Sequence, residues 1–433
     1  MKKHLMLSIA LIATFQLAGC GSDGSVTKSF HIGEIPVPGI TAGTNFSFDL
    51  GLVTNHSPGR YYFTDRNNQS VDAFDIASGK LIAQVKGTGA NAFTGCLPNP
   101  SCAGANNGKS GPDGINDISY AGVNKIYVGD VNSVKVLDPV SLTITKTITN
   151  VGTPGSGNRA DEGCFDAVHH MYMIGSPEED TPVSTIINTD TDAIVAKITF
   201  TDLAGNPSQG LEQCRYDAAS DNWFVNNDGT TANADGELDV VTGASIRAIA
   251  PGATVNYTAL PGIKMYNLST PTSPCDPTGL ALGPGNDIAV NCRPGVVGAP
   301  LVVKIFDRTN GNLVASVPAG GGDALEYDPS SNRYFNGSSR WNGTGKVINA
   351  GGSCSAANPC TPALGIIDAT SRTVVAMAPT GNNAHSVAVD PVTGNVFVPH
   401  SSDAAPGGVS LGGFASGFFP DSASGGVSIF SVR

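Results

Sequence analysis

Polar residues with oxygen or imidazole side chains recur in this chain just ahead of short apolar runs. Asn116 precedes DISY, Asp161 and Glu162 precede GCFD, Glu212 precedes QCRYD, Asp323 precedes ALEYD, and His385 precedes SVAVD. Asp113 stands slightly farther out from the first of these runs. Gathered around one opening, such groups support two kinds of chemistry. Several carboxylate and amide oxygens together can hold a hard cation such as Ca²⁺ or Mg²⁺. Crowded carboxyls also raise one another's pKa, which lets one act as a general base. Arg293 and Arg340 fall at strand ends on the same side and could hold an anionic group of a ligand against the acids, while His400, at the end of the second strand next to His385, lies on that face and could reach His385. The plainer alternatives are acids that hydrogen-bond backbone amides at a wet rim, and arginines that form solvated ion pairs.

What would bring these residues together is a repeat. RYYFTDRNNQSVDAFDIASGKLIAQVKG, Arg60 to Gly87, reads as three β-rich runs joined by polar and Asp/Gly turns. Weaker copies begin near Lys125, Met171, Asn222, Asp287, Arg333 and Asn395, at spacings of roughly 40 to 60 residues, a range that marks propellers and solenoids. Each copy opens with an inner strand: Phe48–Thr54, Asp117–Tyr120, Gly163–Asp166, Gln213–Asp217, Gly279–Gly283, Ala324–Asp328 and Ser386–Asp390. The expected fold is all-β, a seven-bladed β-propeller of four-stranded antiparallel blades. Ser29–Gly39 resembles an outer strand without inner partners, and GGVSIFSVR at the C-terminus lacks a fourth strand. The N-terminal strand is therefore expected to complete the last blade and close the ring, which removes exposed strand edges and favours a monomer.

Asp75, Asp138, Asp190, Asp239, Asp307 and Asp368 are expected to mark short turns between third and fourth strands, trimming one face of the disc. Long insertions at 88–112, 226–236, 251–277, 336–362 and 401–426 are expected on the opposite face, where inner strands begin. Loops positioned by a rigid scaffold carry function, so that face is the expected binding surface. Phe414, Phe418 and Phe419 in the last insertion could form an apolar lid or pin the loop down.

The formal net charge of −12 and the lack of a basic patch argue against nucleic acid as a partner. A small molecule or an envelope protein fits better. MKKHLMLSIALIATFQLAGC has the basic start, apolar run and small residues of a secretory signal. Leu17-Ala18-Gly19-Cys20 is similar to a bacterial lipobox, so residues 1–19 read as a lipoprotein signal peptide, Cys20 as the lipidated residue and 20–28 as a tether. The propeller would fill 29–433 as a single domain. Gly21 and Ser22 after the cysteine imply the outer membrane, facing the periplasm, with lipid as the sole membrane contact. Eight further cysteines in an oxidising compartment imply disulfides. Cys96 with Cys102 and Cys354 with Cys360 would each close a small loop. Cys275 and Cys292 fall side by side on adjacent strands, and Cys164 and Cys214 have the offset of a bridge between neighbouring blades.

YYFTDRNNQSVDAFDIASGKLIAQV and HSVAVDPVTGNVFVPHS resemble the YVTN-repeat seven-bladed propellers, which are similar in turn to NHL and lactonase-like propellers. The resemblance spans about Ser29 to Arg433. It implies the fold strongly and the function weakly, because members include binding proteins and scaffolds. The lactonase relatives hold a divalent metal in the channel through Glu, Asn and Asp. By that resemblance Glu162, Glu212, Asn116 and Asp323 would be metal ligands, with His385 and Glu212 as catalytic groups of a hydrolase or lyase. The leading expectation is a binding propeller without chemistry of its own, contacting its ligand through Asp113, Asp161, Arg293, Arg340 and His400.

Overall fold

Phe48–Thr54, Arg60–Asp65, Ser70–Asp75 and Lys80–Val85 meander antiparallel to form the first blade. Tyr61, Phe63 and Phe74 pack toward Ala388, Phe397 and Val427 of the last blade. Tyr62 and Ala73 turn the other way, into a cluster with Ile126 and Val128 of the second. Both faces of the middle strands are thus covered, which is why they read as apolar runs rather than as a clean alternation. The third-to-fourth turn is held by Asp75, whose Oδ1 accepts from Ser78 N at 2.8 Å, and by Gly79 at φ 64°. Asp138, Asp307 and Asp368 repeat that device.

The structure, a computed structural model, describes residues 30–40, 46–54, 59–102, 104–349, 351, 360–401 and 425–432. Seven sheets follow one another through them. The later inner strands are Ile115–Tyr120, Gly163–Asp166, Leu211–Asp217, Pro277–Leu282, Leu325–Asp328 and Ala388–Val389, close to the predicted bounds. Phe30–Pro36 pairs antiparallel with Gly426–Ser431 and is the outermost strand of the seventh blade, so the N-terminal strand closes the ring. At that seam the Glu34 carboxylate meets His31 Nε2 at 3.1 Å, Ser428 Oγ at 3.0 Å and His400 Nε2.

The fourth blade departs from expectation. Thr242 caps a short helix, Gly243–Arg247, its side chain accepting from Ser245 N at 3.1 Å. That cap overrides the strand expected there. Thr254–Asn256 then runs parallel to Ala193–Thr199 as a fifth strand on the third blade, and Lys264–Asn267 is the outer strand of the fourth. The insertion expected at 251–277 is consequently split. Its first part covers the outer rim between blades, and only 268–276 lies on the mouth side. Asp239 is a buried residue of the third strand that accepts from Asn227 Nδ2 at 2.8 Å, not a turn residue. In the third blade Asn188, rather than Asp190, caps the turn, accepting from Thr191 N at 3.0 Å.

Three disulfides join described residues: Cys96–Cys102, Cys164–Cys214 between the third and fourth blades, and Cys275–Cys292. Cys360 is also disulfide-bonded. Cys20, Cys354 and the phenylalanines at 414, 418 and 419 lie outside the described residues. Among the described residues, no helix is long and apolar enough to cross a membrane.

Candidate binding site at the channel mouth

Inner strands run away from the mouth, so the residues ahead of each come together around the axis. Oxygens of Glu162, Glu212 and Asp323, from the third, fourth and sixth blades, lie within 4.8 Å of one another. Asp49 groups in the same way with Asp323 and His385, and also with Asp113 and Asp161. Asp113, expected slightly outside the ring, is fully buried within it.

Two arginines that sequence reasoning passed over hold one half of the ring. Arg66 donates from Nε to Asp113 Oδ1 at 3.0 Å and from Nη1 to Phe48 O at 2.9 Å, with Nη2 3.2 Å from Asp49. Arg159 reaches Asp161 at 2.7 Å, Glu178 at 2.9 Å and Asp113 at 3.5 Å. Arg66 follows a second strand just as Arg293 does, so the rule that singled out Arg293 would have found it.

The other half is loosely paired. Arg293 lies 3.8 Å from Glu212 and 3.5 Å from Asp323, and its buried Nε has no partner among the described residues. Arg340 donates to Gly351 O at 3.2 Å and is pulled down to about 10 by burial and by the neighbouring Arg293 charge. Among the described residues, several buried carboxylate oxygens also lack partners: Asp49 Oδ2, Asp113 Oδ2, Asp161 Oδ1, Glu162 Oε2 and Asp228 Oδ1.

Burial dominates the electrostatics. It pushes Asp49 up to about 6 and Asp113 up to about 7, against the pull of Arg66. Glu162 and Glu212 are raised well above the usual carboxylate range by burial, Glu162 next by Glu212 and Glu212 next by Asp228. Asp323 goes the other way: burial would raise it, but Arg293 and His385 hold it low. Asp161 is raised as well by burial although Arg159 lies beside it, so among these carboxyls only Asp323, next to Arg293 and His385, is held below the ordinary range. Burial lowers His385, whose ring stacks on Phe48 at 4.5 Å and whose Nδ1 lies 2.7 Å from Asn383 O.

Two residues singled out from the sequence are engaged elsewhere. Asn116 spends its carboxamide oxygen on Tyr172 Oη, which donates at 2.8 Å. His400 is fully buried in the ring-closing seam, facing Glu34 rather than the mouth. It sits at the end of a second strand as predicted, but the closing strand supplies its partner.

Below the mouth the channel widens into a cavity of about 260 Å³. Glu162 and Asn116 border it together with Leu52, Ile115, Phe165 and Val387. Arg215 of the fourth blade reaches across to Glu326 of the sixth at 2.9 Å.

These features define a seven-bladed β-propeller with a carboxylate-rich, partly arginine-paired channel mouth. No protein-family model and no curated sequence matches the chain. Solved propellers match its shape. U3-55K superposes with a TM-score of 0.56 at 11% identity over 90% of this chain and 97% of that one. The Neurospora crassa Pan2 WD40 domain gives 0.53 at 10% identity, over 95% and 97%. A chain of Kuenenia stuttgartiensis hydrazine synthase gives 0.50 at 14% identity, over 78% and 88%. At such identities the likeness is one of fold.

Proposed function

We infer that the chain is a YVTN-type propeller lipoprotein of the cell envelope, anchored through Cys20, that binds a small ligand or protein partner at its acidic channel mouth without chemistry of its own. The reading is carried by one observation. Buried carboxylate oxygens of Asp49, Asp161 and Glu162, residues of the clustered mouth, have no partner among the described residues. Leaving such groups unsatisfied is costly unless something arrives to satisfy them. The elaborated loops on that face supply further surface. A resemblance in shape to a chain of the mitotic checkpoint complex, an assembly by its title, is compatible with a protein partner. Native mass spectrometry of protein recovered from its host envelope tests the proposal. A bound mass is expected in the wild type and lost in Glu212→Gln; identical bare masses would overturn it.

A divalent cation is the second reading, favoured by the mutual approach of the Glu162, Glu212 and Asp323 oxygens. The set fits such an ion only in part. Asn116 is withdrawn to Tyr172, and Arg293 stands beside two of the three carboxylates. A lactonase-type hydrolase is the less favoured function for that reason. Elemental analysis of purified protein decides it: stoichiometric Ca²⁺ or Mg²⁺, lost together with lactone hydrolysis in Glu212→Gln, would replace the first reading.

A further inference from the structure

We propose that the channel takes an organic amine, a primary ammonium carried on a compact apolar body, with the ammonium at Glu162, Glu212 and Asp323. This rests on the mouth being a binding site and specifies what it binds. Glu162 belongs both to the carboxyl cluster and to the wall of the cavity beneath it. It is only 4% exposed, and its Oε2 lacks a partner among the described residues. An ammonium offers three donors, and three carboxyls from three blades surround the place where it would sit.

Leu52, Ile115, Phe165 and Val387 stand in the wall of the cavity below, beside the polar Asn116, Gln213 and Arg215, and the apolar members favour an apolar group. Its floor is already neutralised, because Arg215 and Glu326 pair across the axis. That pair lies three residues beyond Glu212 and Asp323 on their strands, about 10 Å deeper at ~3.3 Å per residue. A ligand with an ammonium head and an aryl or short alkyl tail matches this succession of carboxyl cluster, partly apolar wall and ion pair.

The test is isothermal titration of the purified full chain with 2-phenylethylamine, with 2-phenylethanol as its uncharged counterpart, and with CaCl₂ alone. Equimolar binding of the amine, absent for the alcohol, is expected. Glu162→Gln should weaken it about 10- to 100-fold, the loss of one charge-assisted hydrogen bond. Asp307→Asn, the same acid-to-amide change at a turn on the far face, should leave it unchanged. Phe165→Ala should weaken the amine and not the response to Ca²⁺. Equal affinity for the alcohol, or no amine binding by folded protein at millimolar concentration, overturns the proposal. Stoichiometric Ca²⁺ binding that the amine does not displace also overturns it, while leaving the mouth as a binding site.

Discussion

Replacing Glu34 by Gln removes one negative charge from the seam where the first strand meets the last blade. Burial alone would raise the Glu34 carboxyl, yet hydrogen bonds from His31, His400 and Ser428 and the His400 charge hold it at about 2, against an ordinary 4.5. At ~1.36 kcal/mol per pH unit, that displacement corresponds to about 3 kcal/mol of stability. Because the folded value lies below the unfolded one, the contribution is complete above pH 4.5 and fades as pH falls toward 2. Urea unfolding followed by circular dichroism should place Glu34→Gln about 3 kcal/mol below wild type at pH 7, with the gap closing between pH 4.5 and 2. Hydrogen exchange should quicken first in Phe30–Pro36 and Gly426–Ser431. A difference under about 1 kcal/mol, or one that persists at pH 2, would show that the seam is held by strand pairing alone.

Other consequences can be checked independently. Asp113→Asn should flatten the dependence of stability on pH between about 4 and 7. The wild type should gain stability as pH falls through that window, because Asp113 and Asp49 titrate higher folded than unfolded. Arg66→Met leaves two buried carboxyls without their main cation and should cost about 3–5 kcal/mol at pH 7, read from denaturant midpoints. Replacing both Cys164 and Cys214 by Ser opens a loop spanning 50 residues. By chain entropy it should remove up to about 4 kcal/mol, measured against wild type with and without reductant. A Cβ on Gly279 would stand 2.2 Å from Asp323 O, so Gly279→Ala should shift the sixth inner strand and cost about 1–3 kcal/mol in thermal unfolding.

The blade count, the closing strand and the three disulfides were legible because each has a local signature: the turn-marked run of strands, an orphan strand at either end, and cysteine parity. The fourth blade was not. SIRAIA has strand-like composition, and the cap by Thr242 that turns it into helix competes with an equally plausible hairpin. Convergence at the mouth followed from topology, since whatever precedes an inner strand must face the axis. Partner choice did not follow. Arg66 and Arg159 lie 47 and 46 residues from Asp113, and only the closed ring shows that both turn toward it. The partners of His400 and Asn116 were hidden for the same reason, each being a side chain from a different strand.

The direction of the closing strand settles which way the disc faces if the chain is tethered. Phe30 pairs with Ser431 and Pro36 with Gly426, so the strand climbs from the trimmed side toward the mouth. Phe30, the first described residue, lies on the trimmed side. Phe30 lies ten residue steps after Cys20, a reach of at most about 36 Å when fully extended. A lipid at Cys20 would moor the plain underside close to the bilayer and leave the acidic opening turned outward, free to sample solutes while the protein stays berthed.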